Sequence, residues 1–577
     1  MRRSVVSIPF LWLLLVIGGL AFAQPVEKMS ERLQHAIILA EAGETQAAWV
    51  YFGDKGTGLL RKQADVAARL NARAYQRRVR ERGIANLVDE HDLPLRGEYV
   101  REVSALAEKL RVKSRWLNAV SLEATAEALA EIARMPFVVR IDLVRRGRAP
   151  LPEPAAHTLL RGGAASTTLD YGPSFDQNSQ INTPPLHDLG FSGAGVLIAS
   201  LDTGFPNLTH EALAHLDIVA TWDFINGDSI VDNQSGQAGN DDHGTNTLGA
   251  MGGYMPGQLI GTAYGASFLL AKTEVVEFER HIEEDHWVAA AQWADSLGAD
   301  IISSSLGYRF FDPGEGDYSA DDLDGQTAVI TVAAELASSR GILVVVSAGN
   351  EGAGVTTIGA PADGPSVLAV GAVNSSGDVV SFSSRGPTAD GRIKPDIAAR
   401  GLGVRTVSAV ANNYASLSGT SFSCPLAAGV AALLREASPQ STNSELRAAL
   451  KETAGNAQSP DNDRGWGIVD AFRALEYLEN GGELPPVGNQ LEIVKNYPNP
   501  FDGTTTIRYT VPRAGRVKLT VYNVLGEKIA VLRDREEDAG TRLINWDADG
   551  LAQGVYFVML SANGKTDTHK MVYLRQE

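Results

Sequence analysis

The sequence is poor in cysteine and in basic residues. Cys424 is the single cysteine among 577 residues, so no intramolecular disulfide is possible. Acidic residues outnumber basic ones, and the formal net charge is −18. This balance argues against nucleic acid as the main partner, because a phosphate-binding face needs a basic patch. It is compatible with solubility outside the cell.

The only long apolar run lies at the N-terminus and is typical of a cleaved signal peptide. Two arginines give a basic start, an apolar core spans about residues 8–20, and Ala21-Phe22-Ala23 precedes Gln24. The core is shorter than the roughly twenty residues that span a membrane. No cysteine follows the cleavage motif, which argues against a lipid anchor. We therefore expect residues 1–23 to direct Sec-dependent export and to be removed.

Residues 24–165 predict a small α+β module. Helical periodicity covers residues 30–41 and 59–82, and a strand–helix–strand pattern follows over residues 116–144. An arginine- and proline-rich stretch at residues 145–154 predicts an exposed connector that a protease could cut. The module is therefore either a removable segment or an ordinary N-terminal domain that stays attached.

The pattern changes in residues 170–478, where apolar strands alternate with helices. Strands are predicted at 196–201, 268–271, 301–303, 342–346 and 367–370, and helices at 285–297, 326–340, 421–436 and 443–451. Continuous apolar strands separated by helices indicate a parallel sheet covered on both faces. The active site of such an α/β fold lies at the carboxyl ends of the strands.

The C-terminal part predicts a separate all-β module. Residues 479–490 are rich in glycine and proline and predict a linker. Residues 491–577 contain short alternating strands at 505–511, 516–522 and 554–560, separated by turns. This pattern indicates a small β-sandwich.

Four polar residues of the α/β part supply the groups of a serine hydrolase. Asp202 ends the first predicted strand, His243 and Asn350 follow apolar segments, and Ser421 begins a predicted helix. A serine at a helix start is, on its own, better explained as an N-cap. Together, however, the four residues supply a nucleophile, a general base, a carboxylate that fixes the tautomer of the base, and an amide donor to an oxyanion.

Five motifs in this part resemble those of the subtilisin-like serine peptidases, the subtilases. They are Leu201-Asp202-Thr203-Gly204, His243-Gly244-Thr245, Ser305-Leu306-Gly307, Ser347-Ala348-Gly349-Asn350 and Gly419-Thr420-Ser421. The order of aspartate, histidine and serine also matches that family. The resemblance implies a triad of Asp202, His243 and Ser421, with Asn350 in the oxyanion hole. It also implies that the binding site for the substrate backbone, and the pocket for the residue before the cut, are lined by Ser305, Leu306, Gly307, Ala348 and Gly349.

The resemblance implies a fold and an activity as well. We expect an α/β, subtilisin-like three-layer fold with a parallel sheet, preceded by a small α+β propeptide and followed by an Ig-like β-sandwich. The chain would be a secreted serine endopeptidase that hydrolyses peptide bonds through an acyl-enzyme intermediate, with no cofactor required for the chemistry. The N-terminal module resembles the inhibitory propeptides of the family, so the enzyme would be made as an inhibited precursor.

The C-terminal module resembles the sorting domains of type IX secretion. The resemblance rests on Asn496-Tyr497-Pro498-Asn499-Pro500-Phe501, Val521-Tyr522-Asn523-Val524-Leu525-Gly526 and Gly554-Val555-Tyr556-Phe557. Such Ig-like modules direct proteins of Gram-negative bacteria across the outer membrane, to the medium or the cell surface. Expected partners are therefore peptide or protein substrates, the chain's own propeptide and the secretion machinery of the outer membrane. A plain substrate- or surface-binding sandwich is the alternative.

Three residues depart from the subtilase pattern. Asn246 replaces a second histidine that has no chemical role, and Phe422 follows the nucleophile where the family usually has methionine. Methionine is oxidisable at that position, so the sequence predicts an enzyme that peroxide does not quickly inactivate. Cys424 lies three residues after Ser421 and is either a packing residue or a thiol nucleophile; buried cysteines are usually the former.

The specificity pocket and a metal site are less clearly marked. Gly359 aligns with the floor of the main pocket of the family, and a glycine there implies room for a large apolar or aromatic side chain. An acidic cluster surrounds Asn226 and Gly227 and consists of Asp223, Asp228, Asp232, Asp241 and Asp242. Subtilases often bind structural Ca²⁺, which takes six to eight oxygen ligands. The spacing matches no recognised calcium loop, and a solvated acidic loop is an equal alternative.

Three other functions are less consistent with these residues than a peptidase. A catalytically inactive surface or adhesion protein on the same fold is opposed by the presence of all four chemical residues. An α/β-hydrolase esterase requires Gly-x-Ser-x-Gly and the order serine, acid, histidine, neither of which occurs here. A carboxyl-type serine peptidase, which uses glutamate and aspartate, is opposed by His243 and Asn350.

Overall fold

The computed structural model describes residues 26–144, 169–483 and 491–574, apart from residues 42, 236, 238–241, 277–279, 313–315, 498, 502, 538–539 and 549. The expected signal peptide, the connector at 145–154 and most of the expected linker lie outside the described residues. Within the described part, no helix is long and apolar enough to cross a membrane.

The described residues form thirteen α-helices and twenty-two strands. The helices are α1 Glu31–Leu39, α2 Leu59–Ala67, α3 Ala72–Arg82, α4 Gly97–Ser104, α5 Ala126–Arg134, α6 Phe175–Gln180, α7 Pro184–Asp188, α8 His243–Gly252, α9 His281–Leu297, α10 Val329–Ser339, α11 Thr420–Ala437, α12 Asn443–Glu452 and α13 Ala471–Glu479. The first fifteen strands are β1 Thr45–Phe52, β2 Lys109–Ser114, β3 Ala119–Thr125, β4 Val138–Val144, β5 Leu197–Asp202, β6 Asp217–Asp223, β7 Tyr254–Met255, β8 Leu259–Ile260, β9 Ser267–Lys272, β10 Ile301–Ser304, β11 Leu343–Ser347, β12 Leu368–Val373, β13 Ile397–Arg400, β14 Val404–Val407 and β15 Tyr414–Leu417. The last seven are β16 Glu492–Tyr497, β17 Thr504–Val511, β18 Gly515–Asn523, β19 Lys528–Glu537, β20 Gly540–Asp547, β21 Gly554–Ala562 and β22 Lys565–Tyr573.

Two compact units divide the chain, and the first is an α+β module. It contains the residues up to Thr57, Pro94–Lys113 and Asn118–Val144. Its sheet has the strand order β2-β3-β1-β4, with β1 antiparallel to both neighbours. Leu33 of α1 and Leu129 of α5 are buried in the core that this sheet shares with its helices. The predicted α+β class of this module is confirmed, but the strand predicted from residue 116 begins only at Ala119.

The second unit contains everything after the connector and two earlier stretches, Gly58–Leu93 and Ser114–Leu117. We call these two stretches the docking segment. The helical period predicted over 59–82 is split into α2 and α3, because the side chain of Asn71 caps α3 by accepting from the Arg73 N–H at 2.8 Å. Trp116 lies in the turn of the second stretch and is fully buried in the same apolar cluster as Trp287 of α9.

A buried network of charges holds the docking segment against helices α9 and α10. Asp295 of α9 pairs with Arg77, with Arg78 at 2.8 Å and with Arg115 at 3.1 Å. Arg340, which follows α10, donates to Asp92 of the docking segment at 2.8 Å. The side chains of Arg77, Arg78, Asp92, Asp295 and Arg340 are each at most 2% exposed. Such buried groups are tolerated only when they are paired.

A seven-stranded sheet forms the centre of the second unit. Its order is β13-β12-β11-β10-β5-β9-β6, and every neighbouring pair is parallel. Helix α11 is buried with one apolar cluster, and helices α9 and α10 with the other, so helices cover both faces of the sheet. The predicted fold class, an α/β fold around a parallel sheet, is confirmed. All five predicted strands are present.

The C-terminal module is a β-sandwich of two antiparallel sheets. One sheet has the order β16-β17-β20 and the other the order β19-β18-β21-β22. Both contribute to one core, in which Phe501, Trp546 and Tyr573 are buried together. The predicted sandwich is confirmed, and the structure adds four strands to the three that the sequence indicated.

Candidate active site

Asp202 is the last residue of β5, at the carboxyl edge of the central sheet. Its side chain is almost fully buried, and its two oxygens are held by three groups. Oδ1 accepts from the Thr203 N–H at 2.8 Å and lies 2.6 Å from Nδ1 of His243. Oδ2 accepts from the hydroxyl of Thr247 at 3.0 Å. These bonds fix the carboxylate in one orientation.

His243 is the first residue of α8. Gly244 follows it because a Cβ there would lie 2.2 Å from the carbonyl oxygen of Gly204, so any larger residue would displace the helix start. Burial disfavours the imidazolium, but the charges of Asp202, Glu274 and Asp242 outweigh burial and raise the pKa of His243. The raised pKa makes the neutral imidazole a stronger proton acceptor, which is the property that a general base needs.

Ser421 is the second residue of α11, as predicted from the apolar run that follows it. Gly419 precedes the helix with φ +150°, a conformation that residues with a Cβ rarely adopt. The Ser421 hydroxyl donates to the carbonyl oxygen of Ser305 at 3.2 Å in this rotamer. The ring of Phe422 lies 6.0 Å from that of His243, so the start of α11 is beside the imidazole.

Pro425 lies inside α11 and changes the hydrogen bonding of Ser421. Its nitrogen carries no hydrogen, so it cannot donate to the carbonyl of Ser421 four residues earlier. The hydroxyl of Ser305 donates to that carbonyl instead, at 2.8 Å. Ser305 and Ser421 therefore each donate to the other's carbonyl oxygen.

Asn350 is oriented by Thr420, the residue before Ser421. Its Oδ1 accepts from the Thr420 N–H at 2.9 Å and from the Thr420 hydroxyl at 3.0 Å. Because the oxygen faces Thr420, the amide nitrogen is turned to the other side. A Cβ on Gly419 would lie 3.8 Å from that nitrogen, so the donor is close to the turn before Ser421.

The first of the two segments that the resemblance assigned to substrate binding lies beside Ser421. Ser305 contacts Ser421 as described, and the N–H of Gly359 donates to the carbonyl of Ala348 at 3.2 Å. A Cβ on Gly359 would lie 3.3 Å from the backbone of Tyr308, so close packing by itself explains a glycine here. Leu306, Gly307 and Gly349 belong to the same two segments.

Cys424 is fully buried, and burial raises the pKa of its thiol to about 12. A thiol in that state supplies little thiolate at neutral pH, which disfavours the cysteine as a nucleophile. The structure therefore agrees with a packing role for Cys424.

Among the acidic residues around Asn226, Asp223 and Asp228 are bonded to N–H donors. Asp223 accepts from the N–H groups of Ile225 and Asn226 at 2.7 and 3.0 Å, and Asp228 accepts from the Ile230 N–H at 2.8 Å. Oxygens that face N–H donors do not fit a calcium ion. No group of three or more candidate metal ligands occurs among the described residues, which exclude Asp241.

Three residues at this site have contacts that the sequence did not predict. Thr247 holds Asp202, Thr420 orients Asn350, and Glu274 is a buried carboxylate near His243. Thr247 lies one helical turn after His243, and that spacing could have identified it. Thr420 lies within the Gly419-Thr420-Ser421 motif, but its contact with Asn350 joins residues distant in sequence, and no motif marks Glu274.

Three family models match the chain. The "Subtilase family" model matches residues 193–467, and a "Peptidase S8 propeptide domain, Bacteroidota" matches residues 47–156. A "Secretion system C-terminal sorting domain" matches residues 495–574. These matches confirm all three resemblances that the sequence carries.

Curated relatives match the same central part. Subtilisin of Bacillus pumilus is 31% identical over 281 residues, which are 48% of this chain and 90% of the relative. Subtilisin Savinase of Lederbergia lenta is 30% identical over 297 residues, 51% of this chain and 96% of the relative. Subtilisin E of Bacillus subtilis is 29% identical over 357 residues, 61% of this chain and 79% of the relative.

Proposed function

This chain belongs to the subtilase family of serine peptidases, and we propose that Asp202, His243, Ser421 and Asn350 perform its reaction. The family and the propeptide domain make it a secreted serine endopeptidase that is produced as a precursor. The observation that best supports the residue assignment is the 2.6 Å contact of His243 with Asp202, beside the glycine turn that begins the helix of Ser421.

The proposed chemistry is acyl transfer of the subtilisin type, within the serine endopeptidase class EC 3.4.21. Oγ of Ser421 bonds to the scissile carbonyl carbon while its proton moves to Nε2 of His243. That proton passes to the leaving amine as the C–N bond breaks, and water then releases the acyl group by the same route. Asp202 holds the tautomer with the proton on Nδ1. The amide of Asn350 and the backbone N–H of Ser421 stabilise the oxyanion.

We further propose that two segments bind the substrate. One consists of Ser305, Leu306 and Gly307, and the other of Ala348 and Gly349, with Gly359 at the end of the pocket for the residue before the cut. The contact between Ser305 and Ser421 supports this assignment, because it places the first segment against the nucleophile. The chemistry requires no cofactor. A structural calcium ion would need ligands other than Asp223 and Asp228, whose oxygens face N–H donors.

The proposed precursor has five parts. They are a signal peptide at 1–23, a propeptide at 24–165, the peptidase domain at 170–478, a linker at 479–490 and a sorting domain at 491–577. The sorting domain points to secretion or attachment to the cell surface. We propose Sec-dependent export followed by passage across the outer membrane of a Gram-negative bacterium, with the secretion machinery and protein substrates as partners and no role for nucleic acid.

A casein-clearing assay of the secreted protein and of Ser421→Ala tests the peptidase assignment. We expect clearing by the wild type and none by the variant, since the variant has no nucleophile. Equal clearing by both proteins would overturn the assignment. N-terminal sequencing and intact mass of the secreted form would test the proposed boundaries.

A further inference from the structure

Glu274 is a buried carboxylate that the proposed reaction does not use. It follows β9, the parallel neighbour of β5, and lies two residues beyond Lys272, the register partner of Asp202. The N–H of Thr273, between them, donates to the carbonyl oxygen of Asp202 at 3.0 Å. Neighbouring strands are about 4.8 Å apart, so Glu274 is at the same sheet edge as the triad. Its side chain is only slightly exposed.

Tyr308 holds this carboxylate in place. Its hydroxyl donates to Oε1 of Glu274, and its ring is fully buried. The backbone of Tyr308 exchanges two hydrogen bonds with Ala360, at 2.8 and 2.9 Å. Tyr308 also directly follows Ser305-Leu306-Gly307. The carboxylate is therefore bonded to a rigid position beside the substrate-binding segment.

The following charged and titratable groups interact with this pair among the described residues, which exclude residues 277–279. Glu274 interacts with Asp202, His243 and Tyr308, and His243 interacts in addition with Asp242. Burial, and to a smaller extent the charge of Asp202, raise the pKa of Glu274 to about 7. The hydrogen bond from Tyr308 and the charge of His243 oppose this rise. Because Glu274 and His243 interact, their titrations are linked.

We propose that Glu274 is a positioning residue whose carboxylate, held by Tyr308, stabilises the imidazolium that His243 forms when Ser421 gives up its proton. This inference rests on the proposed function. The imidazolium forms transiently, once when Ser421 attacks the peptide and again when water attacks the acyl-enzyme. A fixed negative charge near it therefore lowers the barrier without binding the substrate.

The charge of Glu274 has a predictable effect on the pH profile. Loss of the charge lowers the pKa of His243, so the acidic limb of kcat/KM moves to lower pH by about 0.5–1.5 units. The plateau of kcat falls by the corresponding factor of about 3–30, because the imidazolium in the transition state is less stable. On its acidic side, kcat/KM of the wild type falls more steeply with decreasing pH than a single ionisation allows. The corresponding fall for Glu274→Gln has the slope of a single ionisation.

Tyr308→Phe keeps the charge and removes its donor. Without the hydroxyl, the pKa of Glu274 rises above about 7, so the carboxyl is mostly neutral at pH 7, where that of the wild type is about half ionised. We expect this variant to behave like Glu274→Gln near pH 7 and to approach the wild type toward pH 10. Asp378→Asn removes an equal charge from an exposed turn and serves as the control.

The experiment measures kcat and kcat/KM between pH 5 and 10 at fixed salt with one chromogenic peptide, after titration of active sites with a fluorophosphonate. A wild type that neither labels at Ser421 nor cleaves refutes the proposed function. If it labels and cleaves, a shift of the limb to lower pH in Glu274→Gln supports the inference. Unchanged profiles in both Glu274→Gln and Tyr308→Phe, or a limb that moves to higher pH in Glu274→Gln, overturn it. If Glu274→Gln does not fold, Tyr308→Phe decides alone.

Discussion

Replacing Asp295 by asparagine in a precursor that carries Ser421→Ala should loosen the docking segment. The change removes the carboxylate that faces Arg77, Arg78 and Arg115, while the side chain of Arg77 stays fully buried. Burial already lowers the pKa of Arg77 to about 10, against the opposing charge of Asp295. Removing one partner of a buried ion pair costs about 3–5 kcal/mol. At about 1.4 kcal/mol per tenfold, the opening equilibrium of the segment rises about 10²- to 10⁴-fold.

Hydrogen exchange followed by mass spectrometry measures this opening in peptides that cover α3. Asp390→Asn is the matched control, because Asp390 pairs with Arg392 at the surface, where such a pair contributes about 1 kcal/mol or less. Combining Asp295→Asn with Arg77→Met should recover part of the protection, since an apolar side chain tolerates the buried position. The reasoning is refuted if exchange in α3 changes less than threefold in Asp295→Asn.

Two further predictions concern the start of α11. Thr420→Val should lower kcat about tenfold with little change in KM in steady-state kinetics. The valine side chain cannot donate to the oxygen of Asn350, so the proposed oxyanion donor loses its fixed direction. A tenfold rise in KM with unchanged kcat would indicate damaged substrate binding instead. Peroxide should not quickly inactivate the enzyme, because Phe422 stands where an oxidisable methionine would otherwise follow Ser421. Rapid loss of activity that tracks one new sulfoxide by mass spectrometry would contradict this.

The central sheet and the proposed triad could be predicted because their signals are local. Apolar runs identified all five strands that were predicted, and short motifs marked Asp202, His243, Asn350 and Ser421. Parallel topology then requires that groups after neighbouring strands meet at one edge. The sequence did not predict the weakly apolar strand β6 and predicted only some of the seven strands of the sandwich. Half-exposed strands are short and alternate apolar with polar residues, so their sequence signal is weak.

The docking segment could not be predicted from sequence. Arg77 and Arg78 belong to a strongly charged helix, and such residues are almost always exposed. Their burial is decided by Asp295, more than 200 residues later. Glu274 is a similar case: no motif surrounds it, and its neighbours are set by the pairing of β5 with β9.

Pro425 determines how the binding of substrate can affect the position of Ser421. An ordinary helix would hold the Ser421 carbonyl by its own backbone, independently of the rest of the site. Here a side chain of the proposed substrate-binding segment, the hydroxyl of Ser305, holds it instead. Any shift of that segment when a peptide binds is therefore passed to Ser421 through the two hydrogen bonds that the serines exchange. The first turn of α11 is in this sense mechanically coupled to the occupancy of the cleft.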